Sequence, residues 1–235
     1  GVAEQPYGFD NVLIRGYVPE RSPRVGFWRS DGNSQNGVFM ESFIDELAHK
    51  AGVDPVAFRL AHMEGVDAET VEVVKTVADM ANWTGKTPAG KGRGIAVTYS
   101  FGTPVAEIVE VSDVDGAVKI DKVWIAADLG KIIDPGNVEA QLISGAIYGL
   151  SAAIHDEITF EDGMVVEGNF WDHDALRMNA TPEFEVKALA LGGAVGGVGE
   201  PGTPPAAPAL ANAIFDLNGT RLRKMPFRHE VDFYA

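Results

Sequence analysis

From residue 40 the chain places apolar side chains along one helical stripe: Met40, Phe43, Ile44, Leu47, Ala48 and Ala51 fall at i, i+3, i+4, i+7, i+8 and i+11. This spacing predicts a core-facing helix, closed by Gly52. Asp54-Pro55 opens a second helix, because aspartate caps free amides and proline suits the first helical position. Gly65 is its expected end. A third helix is predicted over 67–83, with Val71, Val74, Ala78 and Ala81 on one stripe. Between Gly85 and Gly94 glycine, proline and lysine mix without an apolar period, so no regular element is expected there. A boundary is placed in that stretch, between a helix-rich part, residues 1–84, and an α/β part, residues 94–235.

Beyond it the period falls to two. Strands are predicted over 105–112 and 117–128, joined at Asp115-Gly116, a hairpin signal because both turn residues tolerate positive φ. The apolar phase slips between Ile120 and Val123, which predicts a bulge. Residues 137–154 read as a helix in which Gly145 and Gly149 permit close approach of another backbone. Its apolar run is about 13 residues against the roughly 20 a membrane span needs, so a buried helix is expected and no transmembrane segment. Residues 183–188 alternate as a half-exposed strand, and 206–217 form a last helix ending at Asn218-Gly219.

The order of helices and strands, with 46% hydrophobic and 23% charged residues in 235, indicates a soluble α/β (α+β) fold. A formal charge of -15 argues against nucleic acid as a partner, since phosphate binding needs clustered Lys and Arg. With no cysteine, the chain supplies no disulfide and no thiolate for zinc or an iron-sulfur cluster. The five histidines show no paired metal-ligand spacing, and no metal ligand is expected among the side chains. No Gly-x-Ser-x-Gly elbow is present. Gly1 is not preceded by a visible leader, and an abrupt start suggests a fragment or processed subunit; cytoplasm and periplasm both stay open.

Two stretches carry candidate chemistry. Gly197-Val198-Gly199-Glu200-Pro201-Gly202 satisfies G-x-G-x-x-G by letter, yet Pro201, Pro204 and Pro205 lack the amide donors a pyrophosphate cradle uses. Glycines that let the backbone approach a bulky group, with a proline stiffening the next position, make Glu200 the point of the loop. Ahead of a helix N-terminus its charge would gain about 0.3–1 kcal/mol from the dipole; the plainer reading is that Glu200 caps that helix. The second stretch is Phe27-Trp28-Arg29-Ser30-Asp31-Gly32-Asn33-Ser34-Gln35-Asn36, a loop rich in hydrogen-bonding groups that leads into a helix.

Together with Ala127-Asp128-Leu129-Gly130, Asp134-Pro135, Gln141 and Gly145, these stretches resemble the molybdenum hydroxylases of the xanthine dehydrogenase and aldehyde oxidase type, in their bacterial isoquinoline 1-oxidoreductase and aldehyde-oxidising branch. The likeness extends from about Arg24 to Phe227. It implies a mixed sheet with packed helices, forming the C-terminal portion of the molybdenum-binding large subunit. It further implies a molybdopterin cofactor, in cytosine dinucleotide form, and [2Fe-2S] clusters on a partner subunit. Glu200 is then the general base for hydroxylation of an N-heteroaromatic or aldehyde substrate, with oxygen taken from water. Arg29, Gly32, Gln35, Gln141, Gly197, Val198 and Gly199 fall on the cofactor side. The upstream half of the subunit becomes a partner, and the chain alone is expected to be inactive. At the position where xanthine-type members stack an aromatic ring on substrate this chain has Asp31, which speaks against stacking on a flat purine. A non-catalytic scaffold of the same fold stays open, as does a hydrolase pairing Glu200 with a second carboxylate about 5–10 Å away.

Overall fold

The computed structural model describes residues 1–18, 20 and 25–234; Arg24, where the family likeness begins, and Ala235 lie outside them. The first helices are α1 (Asn33–Ala51), α2 (Pro55–Met63) and α3 (Ala68–Met80). They end and begin where local chemistry requires. Gly52 leaves α1 at φ 67°, a left-handed conformation that glycine adopts without strain. The Asp54 carboxylate accepts from Val56 and Ala57 N–H, and Asp67 caps α3 through Thr70 N–H. Gly65 stands just past the end of α2 at φ 78°.

Strands β1 (Lys91–Ser100), β2 (Thr103–Val114) and β3 (Ala117–Asp128) form an antiparallel meander. Asp115 and Gly116 both have positive φ, as the hairpin signal requires. The register steps from Glu110 opposite Lys122 to Val111 opposite Ile120, leaving Asp121 as the bulged residue. The chain then forms α4 (Pro135–Ile154), a small hairpin of β4 (Phe160–Glu161) and β5 (Met164–Val165), and β6 (Glu183–Leu189). β6 joins β3 in parallel, so the four-stranded sheet is mixed, in the order β1-β2-β3-β6. Last comes α5 (Ala206–Asn218), ended by Gly219 at φ 80°.

The sheet is a central layer. On one face Ile95, Val97, Ile108 and Trp124 pack with Ile44, Val56, Val73 and Val77 of α1–α3. On the other, Val105, Val109, Val123 and Ile125 pack with Leu142, Leu150, Leu210 and Ile214 of α4 and α5. Alternation along each strand delivers both sets.

Three sequence expectations are corrected. The stretch from Gly85 to Gly94 enters β1 at Lys91. Its glycines serve packing: a Cβ on Gly92 would stand 2.2 Å from Ala213 O, and one on Gly94 2.2 Å from Ala213 N, so α5 lies directly on the strand backbone. The buried stripe of α1 is Gly37, Glu41, Ile44, Asp45 and Ala48, while Phe43 is exposed. Glu41 faces inward because it closes the open edge of β1, where Val97 N–H donates to its Oε2 at 2.9 Å. Finally, Glu200 is neither the cap of α5 nor beside its first turn; Pro205 is the N-cap, and residues 201–205 intervene.

Candidate active-site loop

The loop that carries Glu200 is held from three sides. From β3, the buried Asp128 carboxylate accepts from Gly130 and Leu191 N–H at 3.1 and 3.0 Å, and Gly196 N–H donates to Leu129 O at 3.0 Å. From the β1–β2 turn, Phe101 O accepts from Gly197 N–H at 2.9 Å and the Thr103 hydroxyl donates to Gly197 O at 2.6 Å. From α4, the segment just after Glu200 presses on glycine: a Cβ on Gly145 would stand 3.0 Å from Gly202 C, and one on Gly149 2.6 Å from Thr203 O. The two glycines predicted to admit a neighbouring backbone admit this loop.

Arg29 joins the loop to α4. Its guanidinium donates from Nε to Gly199 O at 2.7 Å and from Nη2 to the same oxygen, from Nη1 to Ser144 Oγ at 2.9 Å, and from Nη2 to Gln141 Oε1 at 3.3 Å. A planar fork of donors is what such a three-way junction needs. The adjacent Ser30 N–H donates to Glu200 Oε1 at 3.0 Å. Ser30 and Asp31 both adopt positive φ, 75° and 51°, an unusual conformation for consecutive non-glycine residues. Such strain persists where surrounding contacts enforce it, and here Ser30 is fully buried and its hydroxyl bonds that of Ser34.

Thus Arg29, Gln141, Gly199 and Glu200, separated by up to 171 residues, meet at one junction. Gly32 lies at the start of α1 as its N-cap, with its carbonyl accepting from Asn36 Nδ2 at 2.7 Å. Gln35 is exposed on the first turn of α1 and makes no hydrogen bond to the junction. Gly197 spends both its backbone groups on the β1–β2 turn, and Val198 packs on the core beneath. Among the described residues no hydrogen bond uses the N–H of Val198, Gly199 or Glu200, so three consecutive donors flank the carboxylate. Ser30 and Ser144 escaped the sequence reading. Ser144 stands three positions from Gln141 on a predicted helix, and that spacing is the signal for a shared face.

A family model described as a molybdopterin cofactor-binding domain matches residues 31–182. The chain belongs to the molybdopterin cofactor-binding domain family. It is 34% identical over 222 residues to the isoquinoline 1-oxidoreductase subunit beta of Brevundimonas diminuta, covering 92% of this chain and 28% of that protein. It is 33% identical to the membrane-bound aldehyde dehydrogenase (pyrroloquinoline-quinone) of Gluconacetobacter polyoxogenes, covering 92% of this chain and 30% of that one. The chain therefore spans under a third of the length of these relatives. Among solved structures it superposes on quinoline 2-oxidoreductase from Pseudomonas putida 86 with a TM-score of 0.72 at 12% identity, over 86% of this chain and 52% of that chain. Aldehyde oxidoreductase from Desulfovibrio gigas gives 0.68 at 13%, over 85% and 40%. These likenesses establish the mixed α/β fold of the family's cofactor-binding domains. The matched segment contains Gly32, Gln35 and Gln141 but stops before the loop of Glu200.

Proposed function

We propose that this chain is the part of a molybdenum-dependent oxidoreductase that carries its general base, Glu200, acting on an N-heteroaromatic or aldehyde substrate with water as the oxygen source. The observation that supports it most is the junction, in which Arg29 binds Gly199 and Gln141 while Ser30 N–H holds Glu200. The residues fit a molybdopterin group. Three free N–H donors at Val198, Gly199 and Glu200 match the acceptor oxygens of a pterin and its phosphate. Gln35 is exposed on the first turn of α1, the Gln141 amide stands beside Arg29, and Arg29 and Gly32 fix the loop and the helix start. When bound, the cofactor supplies the two-electron redox chemistry.

The protein's own share is positioning and proton transfer. Arg29 fixes the carbonyl of Gly199, so the carboxylate that follows projects from an anchored backbone. One oxygen of Glu200 is held by Ser30 N–H, which leaves the other to take the proton from the attacking oxygen. General-base assistance of this type contributes roughly 10²–10⁴ in rate. The cytosine dinucleotide form of the cofactor, the upstream half of the molybdenum subunit and a partner subunit bearing [2Fe-2S] clusters belong to the same proposal. It is supported by relatives named as subunits and far longer than this chain, and by the lack of any cysteine here to ligate a cluster.

Molybdenum analysis and pterin fluorescence, run on the isolated chain and on the assembled enzyme, test the reading. Metal and pterin are expected in the assembled enzyme. Their absence from both samples would mean a scaffold that keeps the fold without the chemistry.

A further inference from the structure

The four-stranded sheet has two outer edges, β1 and β6, and the chain treats them differently. Along β1 the outward backbone groups are capped by side chains. Arg93 N–H donates to Asp216 Oδ2 at 2.9 Å, Val97 N–H to Glu41 Oε2 at 2.9 Å and Tyr99 N–H to Gln5 Oε1 at 3.0 Å, while Asn212 Nδ2 donates to Ile95 O at 3.1 Å. An edge covered in this way is closed to pairing with another chain.

β6 has no such cover. Leu189 O accepts from Leu129 N–H on the β3 side, so by the alternation of a strand Phe184, Val186 and Ala188 turn their N–H and C=O groups outward. Among the described residues these outward groups make no hydrogen bond. Neither proline nor a bulge interrupts the strand. On one face Phe184, Val186 and Ala188 pack on the core that α4 covers; on the other Glu183, Glu185 and Lys187 are exposed. Lys122 bridges the two glutamates, and Lys187 has no ion pair among the described residues.

We infer that this edge pairs with the β6 of a second copy of the chain, antiparallel about a two-fold axis through Val186. Phe184 then faces the partner's Ala188 and Val186 faces the partner's Val186, each pair exchanging both its backbone bonds. On the charged face Glu185 comes opposite the partner's Lys187, and Lys187 opposite the partner's Glu185, so symmetry makes the ion pair twice. The neighbouring registers fail on the same residues. An axis through Glu185 sets that carboxylate against its own copy and Ala188 against Pro182, which has no N–H; an axis through Lys187 sets two ammonium groups together. The pairing is independent of the role of Glu200.

Sedimentation equilibrium of the 235-residue chain, combined with hydrogen exchange of its β6 amides, tests this. A reversible dimer is expected, its fraction rising with concentration over about 10–500 µM. Exchange at Phe184, Val186 and Ala188 should slow several-fold as it forms. Lys187→Glu and Glu185→Lys should each weaken the dimer by about tenfold, because each sets like charges face to face twice. Mixed in equal amounts, the two variants should associate at least as tightly as the unaltered chain, since every facing pair is then opposite in sign. Thermal unfolding of each variant confirms that the fold is retained. A monomer at every concentration, a dimer that Lys187→Glu leaves unchanged, or variants that do not recover on mixing would each overturn the inference. So would β6 amides that slow only in the assembled enzyme, which would assign the edge to the upstream half of the subunit.

Discussion

Glu41 and Glu107 are both buried, and the protein treats them in opposite ways. Glu41, 1% exposed, accepts from Tyr7 Oη at 2.5 Å, from Arg59 Nε at 2.9 Å and from Val97 N–H at 2.9 Å. Burial and the Glu41 charge raise the Tyr7 pKa well above its ordinary value, so the phenol stays a donor. Arg59 is 0% exposed; burial opposes its charge, but Glu41 keeps its pKa raised. Removing the cation would leave Glu41 charged and dry. Arg59→Met should therefore cost about 3–5 kcal/mol in urea unfolding, the range for breaking one side of a buried pair.

Glu107 is also 0% exposed, in β2 between Ala96 and Ile125, yet neither carboxyl oxygen has a partner. Burial raises its pKa well above 4.5, so the folded protein holds it neutral. The folded state then keeps a proton that the unfolded chain releases above about pH 4.5. Stability from this site is complete below that value and declines as pH rises through the folded pKa. Glu107→Gln removes the decline. Urea unfolding of both proteins at pH 5 and pH 8 should show the difference shifting in favour of the glutamine variant at the higher pH. A pH-independent difference would mean that Glu107 is ionised in the fold.

At the scale of elements, the Glu200 loop depends on how closely α4 lies against residues 202–206. A Cβ on Gly149 would meet Thr203 O at 2.6 Å and Ala206 Cβ at 2.9 Å, two contacts with backbone and packed side chain that cannot swing away. Gly149→Ala should cost about 1–3 kcal/mol through overpacking and should lower turnover by displacing the Glu200 loop. Gly136→Ala in the first turn of the same helix has its nearest neighbour at 3.6 Å, so it should be neutral or stabilising by up to about 1 kcal/mol. Denaturation of the two variants side by side separates the packing effect from helix propensity.

The same elements show what could be read from sequence. The Asp115-Gly116 hairpin, the bulge at Asp121, the caps Asp54 and Gly52 and the close-packing role of Gly145 and Gly149 were all legible, because each depends on a few neighbouring residues. β1 was missed altogether: Gly92 and Gly94 at its start look like a breaker until α5 is laid on them. The inward turn of Glu41 and Asp45 was missed because their partners, Arg59 and Arg221, come from other elements. The family likeness brought Arg29, Gln141, Gly199 and Glu200 together on paper, and the structure joins them through hydrogen bonds. The Ser30 amide that holds Glu200 depends on a strained turn that no local pattern announced.

Over the whole molecule, large apolar side chains stand in solvent along two stretches. Leu13, Tyr17 and Phe27 are 76%, 80% and 98% exposed, and Phe170, Trp171 and Met178 are 91%, 80% and 93% exposed. Exposure on this scale marks interaction surface, and relatives more than three times as long have chain enough to cover it. In the proposed assembly, hydroxyl-radical labelling of Phe27 and Trp171 should fall several-fold relative to the isolated chain. Equal labelling in both would place the partner elsewhere.

The central claim concerns one carboxylate. Glu200→Gln keeps the size of the side chain and an oxygen able to accept from Ser30 N–H, so the junction and the bound cofactor should survive. Turnover of the assembled enzyme should be measured with molybdenum content determined in the same sample. A fall in kcat of roughly 10²–10⁴ at unchanged metal content is expected if Glu200 is the base. Near-normal turnover in the loaded variant would contradict it.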